Sequence, residues 1–65
     1  MKVYTINCPA CQVLETKLQQ KNFSYETVSD EQIFNEKGLE IFPVLELEDG
    51  SLLEYSDAIK WVKEA

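Results

Sequence analysis

The feature that most constrains this chain is that its only two cysteines, Cys8 and Cys11, lie three residues apart. A disulfide between them closes too short a loop to restrict the unfolded chain, so it cannot hold distant segments together as the bridges of small secreted domains do. The 65 residues must therefore fold by burying side chains, and 45% of them are hydrophobic. A chain of this size has room for one core, so residues 1–65 are predicted to form a single domain.

The charge of the chain argues against several classes of partner. Six lysines against twelve Asp and Glu residues give a net charge of −6, which repels nucleic-acid backbones and anionic lipid. The sequence shows no secretory leader and no apolar run long enough to cross a bilayer. We therefore expect a monomeric cytoplasmic protein that binds neither nucleic acid nor membrane. In the reducing cytosol a cysteine pair is more often redox-active or metal-binding than structural.

Hydrophobic periodicity, together with Gly, Pro and Asn at the breaks, predicts the element order β-α-β-α-β-β-α. Pro9 suits the first turn of a helix, Asn22 and Gly38 can end helices, and Asp49-Gly50 is typical of a two-residue hairpin turn. The first strand, helix and second strand imply a parallel pair, to which the hairpin adds two antiparallel strands. The predicted fold class is thus a minimal α/β fold, a four-stranded mixed sheet with helices packed on it. The strands are predicted at 2–6, 23–28, 44–47 and 51–54, and the helices at about 9–21, about 30–37 and after Ser56.

Two serines are predicted to cap helices. Ser29 precedes Asp30, Glu31 and Gln32, which together have the form of a capping box. Ser56 precedes the final helix, on which Ala58, Trp61, Val62 and Ala65 fall on one face. The aromatic residues are assigned to the core and are given no chemical role.

The cysteines lie where the first strand runs into the first helix. At the N-cap, the sulfur of Cys8 faces unpaired backbone N–H groups and the positive end of the helix dipole, which favour a thiolate. Cys11 follows one turn later on the apolar stripe with Leu14 and Leu18, with Val13 beside it, so it is expected to be more buried and to stay protonated. Cys8 is therefore the predicted attacking thiol and Cys11 the predicted resolving thiol. Pro9 between them adds no charge.

Two other interpretations of the pair remain open. A zinc site needs four soft or imidazole ligands, and because the chain has no His and no further Cys, only a site shared between two chains could supply them. Alternatively, both cysteines are ordinary small buried residues.

The chain carries five features in order: Val3-Tyr4-Thr5, then Cys8-Pro9-Ala10-Cys11, Pro43 at the head of a strand, Asp49-Gly50, and Ser56-Asp57 at a helix start. Together they resemble the glutaredoxin family of the thioredoxin fold. The resemblance spans nearly the whole chain, and it extends to compact phage members of the group and to the glutaredoxin-like electron donors of ribonucleotide reductase. It implies a minimal thioredoxin-like fold with the redox roles assigned to Cys8 and Cys11.

The resemblance also implies a binding site for the substrate or thiol. Pro43 matches the family's cis-proline, which lies opposite the active-site cysteines and leaves the backbone of the preceding residue, Phe42, free to pair with a substrate. Ser56 and Asp57 match the helix start at which glutaredoxins hold the γ-glutamyl end of glutathione, although both also suit an ordinary cap and first-turn acid. With Pro9, these are the candidate substrate-binding residues.

Three departures from the family pattern bear on the reductant. Many glutaredoxins have a Lys shortly before the first Cys, whereas Thr5, Ile6 and Asn7 stand there in this chain. Glu54-Tyr55 replaces the usual Gly-Gly before the last helix, and only the 14 residues from Ser29 to Phe42 separate the second strand from Pro43. The missing cation and the added carboxylate argue against tight binding of anionic glutathione.

These observations predict a cytoplasmic thiol-disulfide oxidoreductase that reduces protein or small-molecule disulfides through Cys8 and Cys11, with no bound cofactor or metal. The external reductant is expected to be glutathione or a thioredoxin-reductase-type flavoenzyme, and ribonucleotide reductase is one candidate substrate protein. The competing hypotheses are a non-enzymatic thioredoxin-fold module that binds a basic partner through the acidic hairpin, and the zinc site between two chains.

Overall fold

The computed structural model describes all 65 residues and has the predicted seven elements in the predicted order. The elements are β1 (Lys2–Tyr4), α1 (Pro9–Gln20), β2 (Glu26–Val28), α2 (Glu31–Lys37), β3 (Val44–Glu46), β4 (Leu52–Leu53) and α3 (Tyr55–Glu64). All four strands are shorter than predicted, because a β-like sequence pattern extends beyond the residues that pair with a neighbouring strand.

The four strands form one mixed sheet in the order β2-β1-β3-β4. β1 pairs in parallel with β2, with Tyr4 beside Val28, and antiparallel with β3, with Tyr4 opposite Val44. β3 pairs antiparallel with β4, with Leu45 opposite Leu53. The predicted α/β class, with one parallel pair and an added hairpin, is confirmed, and the architecture is compatible with a minimal thioredoxin-like fold.

Alternation along β1 and β3 divides the core between the two faces of the sheet. One face carries Val3 and Leu45, which are fully buried with residues of α1 and α3. This cluster comprises Val3, Leu14, Leu18, Leu45, Ala58 and Val62. On the other face, Tyr4 and Val44 pack against Phe34 of α2. The helices therefore cover both faces, with α1 and α3 together on one side and α2 on the other.

A polar contact lies on the α2 face of the sheet. The Tyr4 hydroxyl donates a hydrogen bond to Glu46 Oε1 at 3.1 Å, and Lys37 Nζ lies 3.6 Å from the same oxygen. Burial raises the pKa of Tyr4, and the hydrogen bond to Glu46 and the negative charge of Glu46 raise it further, against the opposing charge of Lys37. The contact links the last residue of α2 to two strands of the sheet.

Helix ends follow the sequence signals in part. Asn22 just after α1 and Gly38 after α2 both adopt left-handed backbone, at φ 61° and 69°, as predicted. The prediction that Ser29 caps α2 is wrong, because the N-cap is Asp30, whose carboxylate accepts a hydrogen bond from the Gln32 N–H at 2.9 Å. The cap is therefore one residue further along the chain than the capping-box pattern indicates.

The hairpin between β3 and β4 is also longer than predicted. The Gly50 N–H donates to the Leu47 carbonyl at 3.0 Å, and the Leu47 N–H donates to Ser51 O at 2.9 Å. Gly50 stands at φ 89°, so the connection is a turn closed by a left-handed glycine rather than a two-residue loop at Asp49-Gly50.

The strand directions bring three helix starts to one end of the sheet. β1, β2 and β4 run in the same direction, and each is followed directly by a helix, so α1, α2 and α3 all begin where these strands end. We call this the thiol end, because Cys8 lies there. None of the three helices combines the length and apolar character needed to cross a membrane.

Candidate thiol site

Cys8 occupies the N-cap of α1, as predicted. Its backbone is extended, at φ −79° and ψ 164°, and Pro9 begins the helix. The Cys8 sulfur accepts a hydrogen bond from the Cys11 N–H at 3.3 Å, and the Cys8 carbonyl accepts the first helical bond from the Gln12 N–H. The sequence specifies this geometry, because Pro9 supplies no N–H at a position where none is needed. The half-buried sulfur of Cys8 thus lies at the positive end of the helix.

Cys11 lies one turn inside the helix, and its side chain is fully buried. The two sulfur atoms are 2.7 Å apart and neither is in a disulfide. The two thiols therefore differ in burial as predicted, because Cys8 is partly exposed and Cys11 is not exposed at all. No third His, Cys, Asp or Glu side chain joins the pair in an arrangement that could hold a metal ion.

The segment between β1 and α1 holds the cysteines in place. Thr5 is buried, with 2% of its surface exposed, and its N–H donates to the Val28 carbonyl at 3.0 Å. The Thr5 hydroxyl accepts a hydrogen bond from the Asn7 N–H at 3.1 Å, where Asn7 adopts left-handed backbone at φ 60°. Thr5 therefore fixes the bend that delivers Cys8 to the helix start.

Hydrogen bonding around the Cys11 sulfur differs from the sequence-based expectation. Burial raises the pKa of the Cys11 thiol, but hydrogen bonds from the Cys8 thiol, the Thr5 hydroxyl and the backbone of Ile6 and Cys8 outweigh it, so the net direction is a lowered pKa. The expectation that Cys11 keeps its proton considered only burial and distance from the helix end. The hydrogen bonds to the Cys11 sulfur act against burial and favour its thiolate.

Thr5 is the residue of the site that sequence reasoning missed. In the sequence it belongs to a predicted strand and stands where many glutaredoxins have a Lys. The available signal was a hydroxyl-bearing residue at the end of a strand, two positions before an Asn that tolerates left-handed backbone. Its contact with Cys11 is set by the tertiary fold and has no signal in the sequence.

Phe42 and Pro43 lie beside the segment that leads to Cys8. The register of β1 and β3, continued by one residue beyond Tyr4 and Val44, places Thr5 opposite Pro43. Pro43 is buried, and the Phe42–Pro43 peptide bond is cis, as the glutaredoxin resemblance implies. The half-buried Phe42 ring packs against Phe34, with ring centroids 4.5 Å apart. The structure therefore brings Phe42 and Pro43 to the thiol end.

Ser56 and Asp57 are also at the thiol end, but in a different setting from the one predicted. The N-cap of α3 is Glu54, at φ −74° and ψ 173°, and no side chain caps the helix. The prediction that Ser56 caps α3 is wrong, because β4 ends at Leu53 and the helix begins almost at once. Both residues are exposed in the first turn, and α3 follows β4, which is two strands away from β1.

The acidic hairpin lies far from the cysteines. β3 starts at the thiol end and runs away from it, so Glu48 and Asp49 at the hairpin tip lie at the opposite end of the sheet. The exposed Asp49 carboxylate accepts the Ser51 N–H at 2.9 Å, and hydrogen bonding from the backbone and side chain of Ser51 lowers the Asp49 pKa. Of the four acids assigned to the hairpin, Glu46, Glu48, Asp49 and Glu54, only Glu54 is at the thiol end.

Comparisons with protein-family models, with curated proteins and with solved structures give no match to this chain.

Proposed function

We propose that this protein is a glutaredoxin-like thiol-disulfide oxidoreductase that reduces protein or small-molecule disulfides. The observation that carries the proposal is the arrangement of the two sulfurs, 2.7 Å apart at a helix start, with Cys8 accessible and Cys11 buried. A pair that served only to fill the core needs neither an accessible sulfur at the helix start nor hydrogen-bond donors around both sulfur atoms.

The proposed reaction transfers two electrons from the dithiol to a disulfide. The Cys8 thiolate attacks one sulfur of the substrate, the substrate S–S bond breaks, and the other substrate sulfur leaves as a thiolate that takes up a proton. Cys11 then gives up its proton and attacks Cys8 Sγ. A Cys8–Cys11 disulfide forms, and the second substrate thiol is released. The protein is oxidised by two electrons and the substrate is reduced by two.

The surroundings of the pair suit both steps. The Cys11 N–H, the unpaired Ala10 N–H and the positive end of α1 stabilise negative charge on Cys8 during attack and on its release. The lowered pKa of Cys11 makes its thiolate available for the resolving step without exposure to solvent. Phe42 and Pro43, which lie across the sheet from Thr5, are the proposed contact for the substrate backbone, and Pro9 lies beside Cys8 on the exposed side.

The oxidised protein needs an external reductant, and we propose a thioredoxin-reductase-type flavoenzyme, with glutathione as a weaker alternative. Thr5, Ile6 and Asn7 stand immediately before Cys8 where many glutaredoxins have a lysine, and Glu54 stands at the start of α3, so the thiol end lacks a cation for an anionic tripeptide. Ser56 and Asp57 remain the candidate contacts for the amino-acid end of glutathione. A disulfide-bearing protein of the cytoplasm, such as ribonucleotide reductase, is the proposed class of natural substrate.

A single-turnover experiment tests the proposal. The reduced protein is mixed with a small aromatic disulfide whose released thiol absorbs light, and release is followed for the wild type, Cys8→Ser and Cys11→Ser. We expect two thiols per protein from the wild type, one from Cys11→Ser and none from Cys8→Ser. Reduction by Cys8→Ser at the wild-type rate would refute the assignment.

The reductant is identified separately. The oxidised wild type is incubated with glutathione, or with NADPH and thioredoxin reductase, and the return of free thiols is measured. Faster opening by the flavoenzyme is the expected result. Opening by glutathione alone would reverse the order of the two reductants.

A further inference from the structure

The lysines of this protein lie away from the thiol end, whereas carboxylates lie at both ends of the sheet. All three helices begin at the thiol end, and acidic residues near a helix start and basic residues near a helix end are favoured by the helix dipole. Asp30, Glu31, Glu54 and Asp57 lie at the starts of α2 and α3. The lysines lie at the start of β1 or in the later parts of the helices and after them: Lys2, Lys17, Lys21, Lys37, Lys60 and Lys63. The end that carries Cys8 is therefore acidic.

A groove lined by four apolar side chains and by Glu31, Asn35 and Glu40 lies within this acidic end. A cavity of about 330 Å³ is lined by the apolar side chains of Ile6, Phe34, Leu39 and Phe42. Ile6 is 56% exposed and stands two residues before Cys8, and Phe42 precedes Pro43. We call this cavity the thiol-end groove. Exposed apolar surface of this kind beside a reactive group is typical of an interaction site.

Carboxylates form the rim of the thiol-end groove. Glu31 and Glu40 line it, and an adjoining cavity of about 390 Å³ shares Leu39 and Glu40 with it. That second cavity adds Glu54 and Ile41, which is 60% exposed. The apolar floor and its carboxylates thus continue from one cavity to the next.

These rim carboxylates have no cation of their own. The one ion pair in the structure joins Lys37 to Glu46, and Lys37 reaches only the second cavity. No lysine forms an ion pair with Glu31, Glu40 or Glu54, although Lys37 also lines the second cavity, so the rim of the two cavities carries net negative charge beside apolar side chains. Such a surface is complementary to a segment that carries an apolar side chain flanked by lysine or arginine, and it repels an anionic one.

We propose that the thiol-end groove selects disulfides in cationic protein segments, with an apolar side chain of the partner in the groove and its lysine or arginine side chains on Glu31 and Glu40. This inference rests on the proposed function, because the groove positions a disulfide against Cys8. It names the substrate class as basic protein disulfides and places acidic disulfides, including glutathione disulfide, among the poor substrates.

Matched peptide disulfides test the proposal. Three symmetric disulfides share one leucine and one cysteine per strand and differ only in flanking lysine, serine or glutamate. Single-turnover rate constants with the reduced wild type are measured at low salt and at about 0.5 M salt, where the Debye length falls below roughly 5 Å. We expect the lysine peptide to react about fivefold or more faster than the glutamate peptide at low salt. The serine peptide should be intermediate, and the ratio should fall towards one at high salt.

Charge variants locate the effect. Glu31→Gln with Glu40→Gln should reduce the low-salt preference severalfold. The matched control, Glu48→Gln with Glu64→Gln, changes the net charge equally at the opposite end of the molecule and should leave the preference unchanged. If both double variants lose the preference for the lysine peptide equally, net charge alone explains it and the role of the groove is refuted. If both keep the preference, the role of the groove is refuted as well.

A second measurement does not depend on turnover. In Cys11→Ser, the rates at which Cys8 reacts with a cationic and an anionic methanethiosulfonate of similar size are compared at low salt. A faster cationic reaction that Glu31→Gln with Glu40→Gln removes supports the groove, and equal rates contradict it. Cys8-dependent reduction of all three peptides at one rate would refute the groove and leave the proposed function intact. Reduction of none of them would overturn the proposed function itself.

Discussion

Thr5→Val tests whether the segment before α1, and not only the start of the helix, stabilises the thiolate form of the cysteine pair. Valine has nearly the shape of threonine, so the buried volume at the end of β1 is kept while the hydroxyl is lost. The substitution removes the acceptor of the Asn7 N–H and the donor to the Cys11 sulfur. The exposed Asn7 can hydrogen bond to water instead, so the main effect should fall on the thiol pair.

The size of the effect follows from the lost hydrogen bond. A hydrogen bond to a charged group contributes about 1.5–3 kcal/mol. One pKa unit corresponds to about 1.36 kcal/mol of preference between the two protonation states. Because the donors from Cys8 and Ile6 remain, we take the lower end of that range and expect the thiolate titration of the reduced pair to move upward by about one unit.

The assay is a pH titration of thiolate absorbance near 240 nm, with the Cys8→Ser, Cys11→Ser double variant as the background for tyrosine ionisation. Thr5→Ser, which keeps the hydroxyl, is the matched control and should titrate close to the wild type. An unchanged midpoint in Thr5→Val would refute the role assigned to Thr5. An equal shift in Thr5→Ser would also refute it, because it would assign the effect to packing of the methyl group.

Three further predictions concern stability. Folding lowers the pKa of Cys11, so the reduced protein should gain stability over the double serine variant as pH rises through the folded pKa towards about 8.5. It should lose that gain on acidification, and urea unfolding midpoints at pH 6 and pH 9 check both directions. Leu14→Ala removes a fully buried side chain and should lower the free energy of unfolding by about 2–5 kcal/mol, which is comparable with the whole stability of a domain this small. Val13→Ala, on the exposed side of the same helix, should lower it by less than about 1 kcal/mol in the same urea titrations. Tyr4→Phe removes the hydrogen bond to Glu46 and should cost about 1–2 kcal/mol, measured by urea unfolding at pH 7, and no loss would show that this bond adds nothing to stability.

Much of the fold follows from local signals in the sequence. Asn22 and Gly38 mark helix ends because only a few residue types adopt left-handed backbone readily. Cys11, Leu14 and Leu18 mark the buried face of α1 because they recur at helical spacing. Val13 lies just off that stripe and is 42% exposed. Local periodicity therefore identifies elements and their buried faces, and it is less accurate at the edges of those faces.

The remaining errors in the predicted strand ends and helix caps arise where tertiary contacts determine these boundaries. Strand ends depend on which residues find a partner strand, so 23–25 lie outside β2 although Phe23 packs against Trp61 with ring centroids 5.3 Å apart. Helix caps depend on where the preceding strand stops, which is why Asp30 and Glu54 stand at the caps. Only the strand directions show that the hairpin acids lie away from the cysteines.

The thiol site likewise has features that follow from local sequence signals and features that depend on the tertiary fold. The N-cap position of Cys8 was predictable, because Pro9 fixes where the helix begins and a side-chain acceptor is favoured just before it. The lowered pKa of Cys11 was not, because burial alone raises it, and besides the hydrogen bond from Cys8 the lowering depends on the Thr5 hydroxyl and the Ile6 backbone, which the fold brings to the sulfur. Sequence therefore specifies which residues carry the chemistry, and the fold specifies how their protons are held.

The assignment of Cys8 as the attacking thiol is tested most directly by mapping which cysteine forms the mixed disulfide with a substrate. Reduced Cys11→Ser and reduced Cys8→Ser are each mixed with the lysine peptide disulfide, quenched with acid, and mapped by mass spectrometry. We expect a stable adduct on Cys8 in Cys11→Ser and almost none on the buried Cys11 in Cys8→Ser. Equal adduct formation on both cysteines, or a faster reaction at Cys11, would contradict the assignment of Cys8 as the attacking thiol.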